Sequence, residues 1–173
     1  MPFAKGDHRH FLNRMEMNRV SRCMKTLLLL LCALTAIAFA EPCRKERTLV
    51  GKDASVRDGS GRIAGTAETS GSNTTFRDGH GRVTGTASVS TTGTQTFRDG
   101  SGRLTGTGAT SGNTTTFRDA SGGISCTASA SSTGTSTYRD GSGRITGTSS
   151  VSGNTVTYRD GSGRFTGTAN VKK

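Results

Sequence analysis

Thr137-Tyr138-Arg139-Asp140-Gly141-Ser142-Gly143-Arg144-Ile145-Thr146-Gly147-Thr148 decides how the rest of this chain reads. Versions of it place an aspartate at Asp58, Asp78, Asp99, Asp119, Asp140 and Asp160, spaced 20, 21, 20, 21 and 20 residues apart. A fixed period of this size marks a repeat architecture, here of six units. Each unit is rich in Thr, Val, Ile, Phe and Tyr and is broken by Gly-Ser or Gly-Asn, a strand-and-turn composition. No segment has helical periodicity, and glycine recurs too often for a helix.

The register follows from the turns. Taking Gly79-His80 as a two-residue hairpin loop sets Phe76 opposite Val83 and Arg77 opposite Arg82. Alternation then puts Phe76, Val83, Gly85 and Ala87 on one face and Arg77, Arg82, Thr84 and Thr86 on the other. The second turn of each unit varies in length. Gly112-Asn113 makes a two-residue loop and pairs Phe117 with Gly108. Thr91-Thr92-Gly93 makes a three-residue loop ending on a left-handed glycine and pairs Phe97 with Ala87. Ser132-Thr133-Gly134 likewise pairs Tyr138 with Ala128. The extra residue is absorbed in the turn, so no strand is flipped. The expected fold is all-β: an antiparallel hairpin meander of about a dozen short strands. Its inward set is Ile63, Phe76, Val83, Phe97, Leu104, Phe117, Ile124, Tyr138, Ile145, Tyr158 and Phe165. So long an apolar face does not stay exposed. The sheet should curl into a barrel or spiral, or self-associate with another copy.

Composition agrees with a thin, repetitive fold. Only 30% of the 173 residues are hydrophobic and there is no Trp, too little for a thick layered core. Residues 24–40 read as a signal peptide: a basic start at Met24-Lys25, an apolar run from Leu27 to Ile37, and Ala38-Phe39-Ala40 before the cut. The run is shorter than the roughly 20 residues of a spanning helix, so no transmembrane span is expected in the mature chain. Residues 1–23 form either an extended n-region or a stretch upstream of a true start at Met24. Residues 41–52 are a charged lead-in, read as a linker or first-strand approach, and 53–173 hold the repeats. The mature chain carries 17 Lys+Arg against 10 Asp+Glu, so it is basic without its signal. It keeps Cys43 and Cys126 for a compartment that permits disulfides, and a count of free thiols tests a bridge between them.

Asp140-Gly141-Ser142-Gly143-Arg144-Ile145 resembles part of the YD repeat of Rhs-type secreted bacterial proteins. Those repeats carry an aromatic, an Asp, two variable residues, Gly-Arg and an aliphatic. The resemblance implies secreted β-hairpins coiling into a spiral shell. Here Arg139 stands between the aromatic Tyr138 and Asp140, and Gly123 replaces the arginine of the fourth unit.

Candidate chemistry lies mainly in the arginines. Arg57/Arg62, Arg77/Arg82, Arg98/Arg103, Arg139/Arg144 and Arg159/Arg164 are expected to face each other on the outer surface. Opposed like charges call for compensation, by the flanking aspartates and solvent or by an anion. Arginine suits carboxylate and phosphate, so acidic polysaccharide and lipopolysaccharide are the candidate ligands. Nucleic acid is disfavoured, because no outward aromatics offer stacking. Asp-Gly-Ser-Gly has one carboxylate per unit beside two arginines, a poor calcium loop. Thr-Gly-Thr at 84–86, 105–107, 146–148 and 166–168 resembles the threonine rows of ice-binding solenoids, but arginine shares that face. After signal cleavage His80 is the one histidine, in a turn position usually held by Ser, with no partner for general-base chemistry. Cys126 and Gly123 mark the fourth unit as divergent. The chain therefore reads as a non-enzymatic, cofactor-free secreted or periplasmic protein. Its expected role is a structural or interaction module at the cell envelope, with an envelope protein or an anionic glycan as partner.

Overall fold

The computed structural model describes residues 46–172; residues 24–40, read above as a signal peptide, the preceding residues and Cys43 lie outside them. A 3-10 turn at Glu46–Leu49 leads into twelve strands. They are β1 (Ala54–Asp58), β2 (Ile63–Ser70), β3 (Asn73–Asp78), β4 (Val83–Val89), β5 (Gln95–Asp99) and β6 (Leu104–Ser111). The chain continues through β7 (Thr114–Asp119), β8 (Ile124–Ala130), β9 (Thr135–Asp140), β10 (Ile145–Ser152), β11 (Thr155–Asp160) and β12 (Phe165–Val171). Each strand pairs antiparallel with the next, and β1 pairs with β12, from Ala54 opposite Val171 to Asp58 opposite Gly167. The meander thus closes into a barrel rather than an open spiral, which leaves no edge strand to be protected.

At one end of the barrel the turns behave as expected. Ser70 faces Asn73 and Ser111 faces Thr114 across two-residue loops. The longer loops close through Ser90 and Thr94 and through Ser131 and Thr135, with Gly93 and Gly134 left-handed. Phe117 faces Gly108, Phe97 faces Ala87 and Tyr138 faces Ala128.

At the other end the expected register is off by one residue at the loop and by two beyond it. Asp78 N–H donates to the Arg82 carbonyl, and Gly81 N–H donates back to the Asp78 carbonyl, at 2.9 and 3.0 Å. The loop is therefore Gly79-His80-Gly81, three residues long, with Gly81 at φ 82°. A bulge follows, so Phe76 faces Gly85 and Arg77 faces Val83, with Thr84 as the extra residue. The same shift recurs after Val56, Phe97, Phe117, Tyr138 and Tyr158. It turns the aliphatic residue out of the core. Ile63, Val83, Leu104, Ile124, Ile145 and Phe165 are all exposed, not inward, with 37–53% of their surface open to solvent.

The true core is an alternation of large and small. Phe76 lies between Ala67 and Gly85, Phe97 between Ala87 and Gly106, and Tyr158 between Ser149 and Gly167. Small residues flank each aromatic on both strands, so the rings fill the barrel without crowding. The glycines meet a second demand. A β-carbon at Gly65, Gly85 or Gly106 would fall 2.1–2.6 Å from the carbonyl oxygen of Arg77, Arg98 or Arg118 on the following strand. Close backbone approach, more than the aromatic, therefore excludes a side chain there.

The charged lead-in is part of this interior. Leu49 is 1% exposed and belongs to one cluster with Ala67, Phe76, Phe117, Tyr158 and Ala169. Thr48 Oγ1 lies 3.0 Å from the Tyr158 hydroxyl, and Gly51 N–H donates to Thr74 Oγ1 at 2.9 Å. The Arg47 guanidinium sits 4.8 Å from the ring centres of both Phe97 and Phe117, which meet edge-to-face at 5.9 Å. Those partners come from β3, β5, β7 and β11, on different sides of the barrel, so the segment enters it at residues 47–50, with Leu49 fully buried and Gly51 exposed at its exit. Cys126 is disulfide-bonded, and its partner lies outside the described residues.

Candidate functional site

The arginines collect at one end of the barrel because each flanks an aspartate turn, Asp-Gly in every unit but the fourth, which has Asp119-Ala120. Each aspartate first builds that turn. Asp140 Oδ1 accepts from Ser142 N–H at 3.0 Å, from Ser142 Oγ at 2.6 Å and from Arg144 N–H at 3.0 Å. Asp58 and Asp119 make the same three contacts; Asp78 accepts from His80 N–H and Arg82 N–H. The Ser60, Ser121 and Ser142 hydroxyls are the main cause holding Asp58, Asp119 and Asp140 below the ordinary carboxylate pKa; for Asp78 it is the Arg82 amide. In each of these aspartates Oδ1 is engaged by the turn.

A pH dependence follows. These carboxyls titrate lower in the fold than in the unfolded chain, so their stabilisation is complete above about pH 4. It is lost as pH falls through the depressed folded values. Melting temperature should therefore drop on acidification below about pH 4, and replacing Asp58, Asp78, Asp119 and Asp140 together by Asn should flatten that drop. An equally steep acid limb in the Asn variant would disprove the assignment.

The two arginines of each unit do different things. The first caps its own turn: Arg57, Arg77, Arg98, Arg118, Arg139 and Arg159 donate Nη1–H to the carbonyls of Gly61, Gly81, Gly102, Gly122, Gly143 and Gly163, at 2.8–3.0 Å. Arg77 adds an ion pair to Glu68 at 3.6 Å. The second arginine of the unit is Arg62, Arg82, Arg103, Arg144 or Arg164. It is exposed, and its side chain makes no hydrogen bond or ion pair with another described residue.

The expected face-to-face pairs Arg57/Arg62, Arg77/Arg82, Arg98/Arg103, Arg139/Arg144 and Arg159/Arg164 do not form. Arg57 faces Ile63 rather than Arg62, and Arg77 faces Val83 rather than Arg82. Arg98 faces Leu104 rather than Arg103, Arg139 faces Ile145 rather than Arg144, and Arg159 faces Phe165 rather than Arg164. Arg62 and Arg103, like the other second arginines, instead supply the carbonyl that closes the Asp-Gly loop, Arg62 to Asp58 N–H and Arg103 to Asp99 N–H, both at 2.9 Å. The bulge that expels the aliphatic residue thus also separates the like charges.

The Asp-Gly end therefore carries a ring of cations beside a ring of exposed apolar side chains. Arg118 opposite Ile124 belongs to it too, although its unit lacks the second arginine at Gly123. The opposite end is made of Ser, Thr, Gly and Asn turns. Between the ends the outward residues are largely Thr and Ser, among them Thr75, Thr86, Thr96, Thr107, Thr137 and Thr157. A membrane-spanning barrel instead presents an apolar band there. The threonines encircle a closed barrel, which offers no flat row to an ice lattice. His80 is held in its turn through its backbone, and among the described residues no cluster of three metal-ligating side chains forms. No helix among them is long and apolar enough to cross a membrane.

The interior cation at Arg47 is not an expectation of the sequence. Its one signal there is a basic residue two positions before Leu49-Val50, the first apolar pair after residue 40. No protein-family model matches the chain, and no curated protein matches it in sequence.

Proposed function

We propose that this protein is a non-enzymatic interaction module, secreted or periplasmic, that works at the cell envelope. Its contact surface is the Asp-Gly end of the barrel, and its partner there is anionic: an acidic glycan or a phosphate-bearing surface. One observation carries the reading. Arg62, Arg82, Arg103, Arg144 and Arg164 stand exposed at the same end with no side-chain hydrogen bond or ion pair among the described residues, although Arg62, Arg82 and Arg144 act through charge on the turn aspartates, while the preceding arginines are hydrogen-bonded to the turns. A repeated array of such cations multiplies weak contacts into useful affinity. The likeness of Asp140–Ile145 to YD repeats supports an exported role. It does not support a cargo-holding shell, since the interior is occupied by aromatics, Leu49 and the neighbouring Arg47 and Val50.

Binding to heparin and to lipopolysaccharide is expected to weaken steeply with salt. The double reversal Arg144→Glu with Arg164→Glu should reduce it by roughly tenfold or more, whereas Lys172→Glu at the far end should leave it unchanged. Binding that is indifferent to salt, or equal in both variants, would refute the proposal.

A further inference from the structure

We infer that the anionic partner is an extended acidic polysaccharide that lies around the outer rim of the barrel, with its carboxylates on the arginines and its sugar faces on the apolar ring. This rests on the proposed anion-binding role and specifies its ligand.

Three features of the rim lead there. First, each second arginine directly precedes an exposed apolar residue, as in Arg144-Ile145 and Arg164-Phe165, and that residue has a turn-capping arginine as its cross-strand partner, Arg139 for Ile145 and Arg159 for Phe165. Such cross-strand partners stand about 5 Å apart, and successive hairpins repeat the pair about every 10 Å across the sheet. A linear chain with regularly spaced carboxylates and C–H-rich ring faces matches that pattern unit by unit. Second, the apolar ring is set back from the tips. The most protruding residues are the turns, such as Gly141-Ser142-Gly143, while Ile145 lies past the closing Asp140–Arg144 hydrogen bond. A flat bilayer would meet polar tips first and leave the apolar ring above its headgroups, whereas a chain wrapped along the side of the rim reaches both. Third, exposed large apolar residues are concentrated here: Ile63, Val83, Leu104, Ile124, Ile145 and Phe165, against Val151 elsewhere. A recurrent apolar set exposed at one level calls for a partner that covers it.

Gly123 is the gap in the cation ring, and it offers a gain-of-function test. A β-carbon there meets only the Asp119 carboxylate, at 3.1 Å, a side chain that can shift, and the equivalent position holds arginine elsewhere.

The probe is oligogalacturonate of defined length, measured by titration calorimetry on the full-length mature protein, with phosphatidylglycerol vesicles as the rival surface. Affinity should rise at least about 100-fold from a disaccharide to a chain of about twelve sugars. Ile145→Ser with Ile124→Ser should weaken the long chain several-fold without changing its salt dependence, while Gly123→Arg should strengthen it. Circular dichroism confirms that each variant is folded. Equal affinity for short and long chains, or an inert apolar double variant, overturns this inference while leaving anion binding intact. Preference for vesicles over the oligosaccharide overturns it in favour of a lipid surface. Failure to bind any polyanion, heparin included, removes the underlying reading as well.

Discussion

Gly167→Ala is expected to destabilise the barrel by about 3 kcal/mol and to lower its melting temperature by roughly 10 °C. Two costs coincide at this residue. Its backbone sits at φ 143°, where an L side chain is strained, and an added β-carbon would lie 2.1 Å from the Arg57 carbonyl oxygen. That oxygen belongs to β1, across the seam where the last strand meets the first. The backbone must give way, and the seam is the pairing that turns a meander into a barrel. Two controls bracket the effect. At Gly108 the nearest obstacle is the Phe117 ring at 2.9 Å, which can rotate aside, so Gly108→Ala should cost about 1 kcal/mol. At Gly59 the nearest atom is 3.6 Å away, and the chain already places Ala120 at the equivalent turn position, so Gly59→Ala should be near neutral. Thermal melts of the three variants check the order. A Gly167→Ala protein that melts with the Gly59→Ala protein would mean that the seam tolerates a side chain.

The turns explain both what is legible in the sequence and what is not. At the Ser/Thr end, Thr91-Thr92-Gly93 is recognisable as a three-residue loop by its final glycine, and the pairing of Phe97 with Ala87 follows. The same signal stands in Gly79-His80-Gly81, whose final glycine is likewise left-handed. The Asp-Gly dipeptide there also resembles a two-residue hairpin, and that alternative costs no residue and leaves an unbroken alternation. It fails because Asp78 Oδ1 captures His80 N–H and Arg82 N–H, which favours a tight first turn with the strand resuming at Arg82. One bulge then moves Val83 outward, separates Arg77 from Arg82 and places glycine opposite Phe76. The same choice parts Arg57 from Arg62 and Arg98 from Arg103. The antiparallel all-β meander, the aromatic core and the basic character are therefore open to reading, whereas the closure of the sheet is not. The side on which the aliphatic ring lies is not, because it depends on a single backbone hydrogen-bond choice repeated in every unit. The path of residues 47–51 is hidden for another reason. Nothing local in Arg47-Thr48-Leu49 distinguishes a surface linker from a segment that fills a barrel whose walls are defined far along the chain.

Leu49→Ala should cost about 3 kcal/mol, in the range for a fully enclosed leucine. The comparison is Val151→Ala, an exposed apolar site on β10 where less than about 0.5 kcal/mol is at stake. Leu49, with Val50 packed beside it, is the apolar anchor of a segment also held by polar and π contacts: Arg47 between Phe97 and Phe117, Thr48 on Tyr158, and Gly51 on Thr74. Those contacts stop water from reaching the ring faces, and a barrel with small residues on alternate strands has no other side chains large enough to replace them. Loss of Leu49 leaves a cavity that the rigid closed wall does not collapse around, so the penalty stays near the full cost of the vacated volume. It also loosens the segment, and trypsin should then cut after Arg47, a bond that the intact protein shields by stacking the guanidinium on two rings. Urea unfolding and a timed digest read the two consequences separately. If Leu49→Ala unfolds with the midpoint of Val151→Ala and resists trypsin equally, the lead-in contributes nothing to the core and the barrel is stable by its wall alone. If stability falls as expected, the segment preceding β1 is a structural element of the domain, and truncations that begin at Ala54 should not fold to the same barrel.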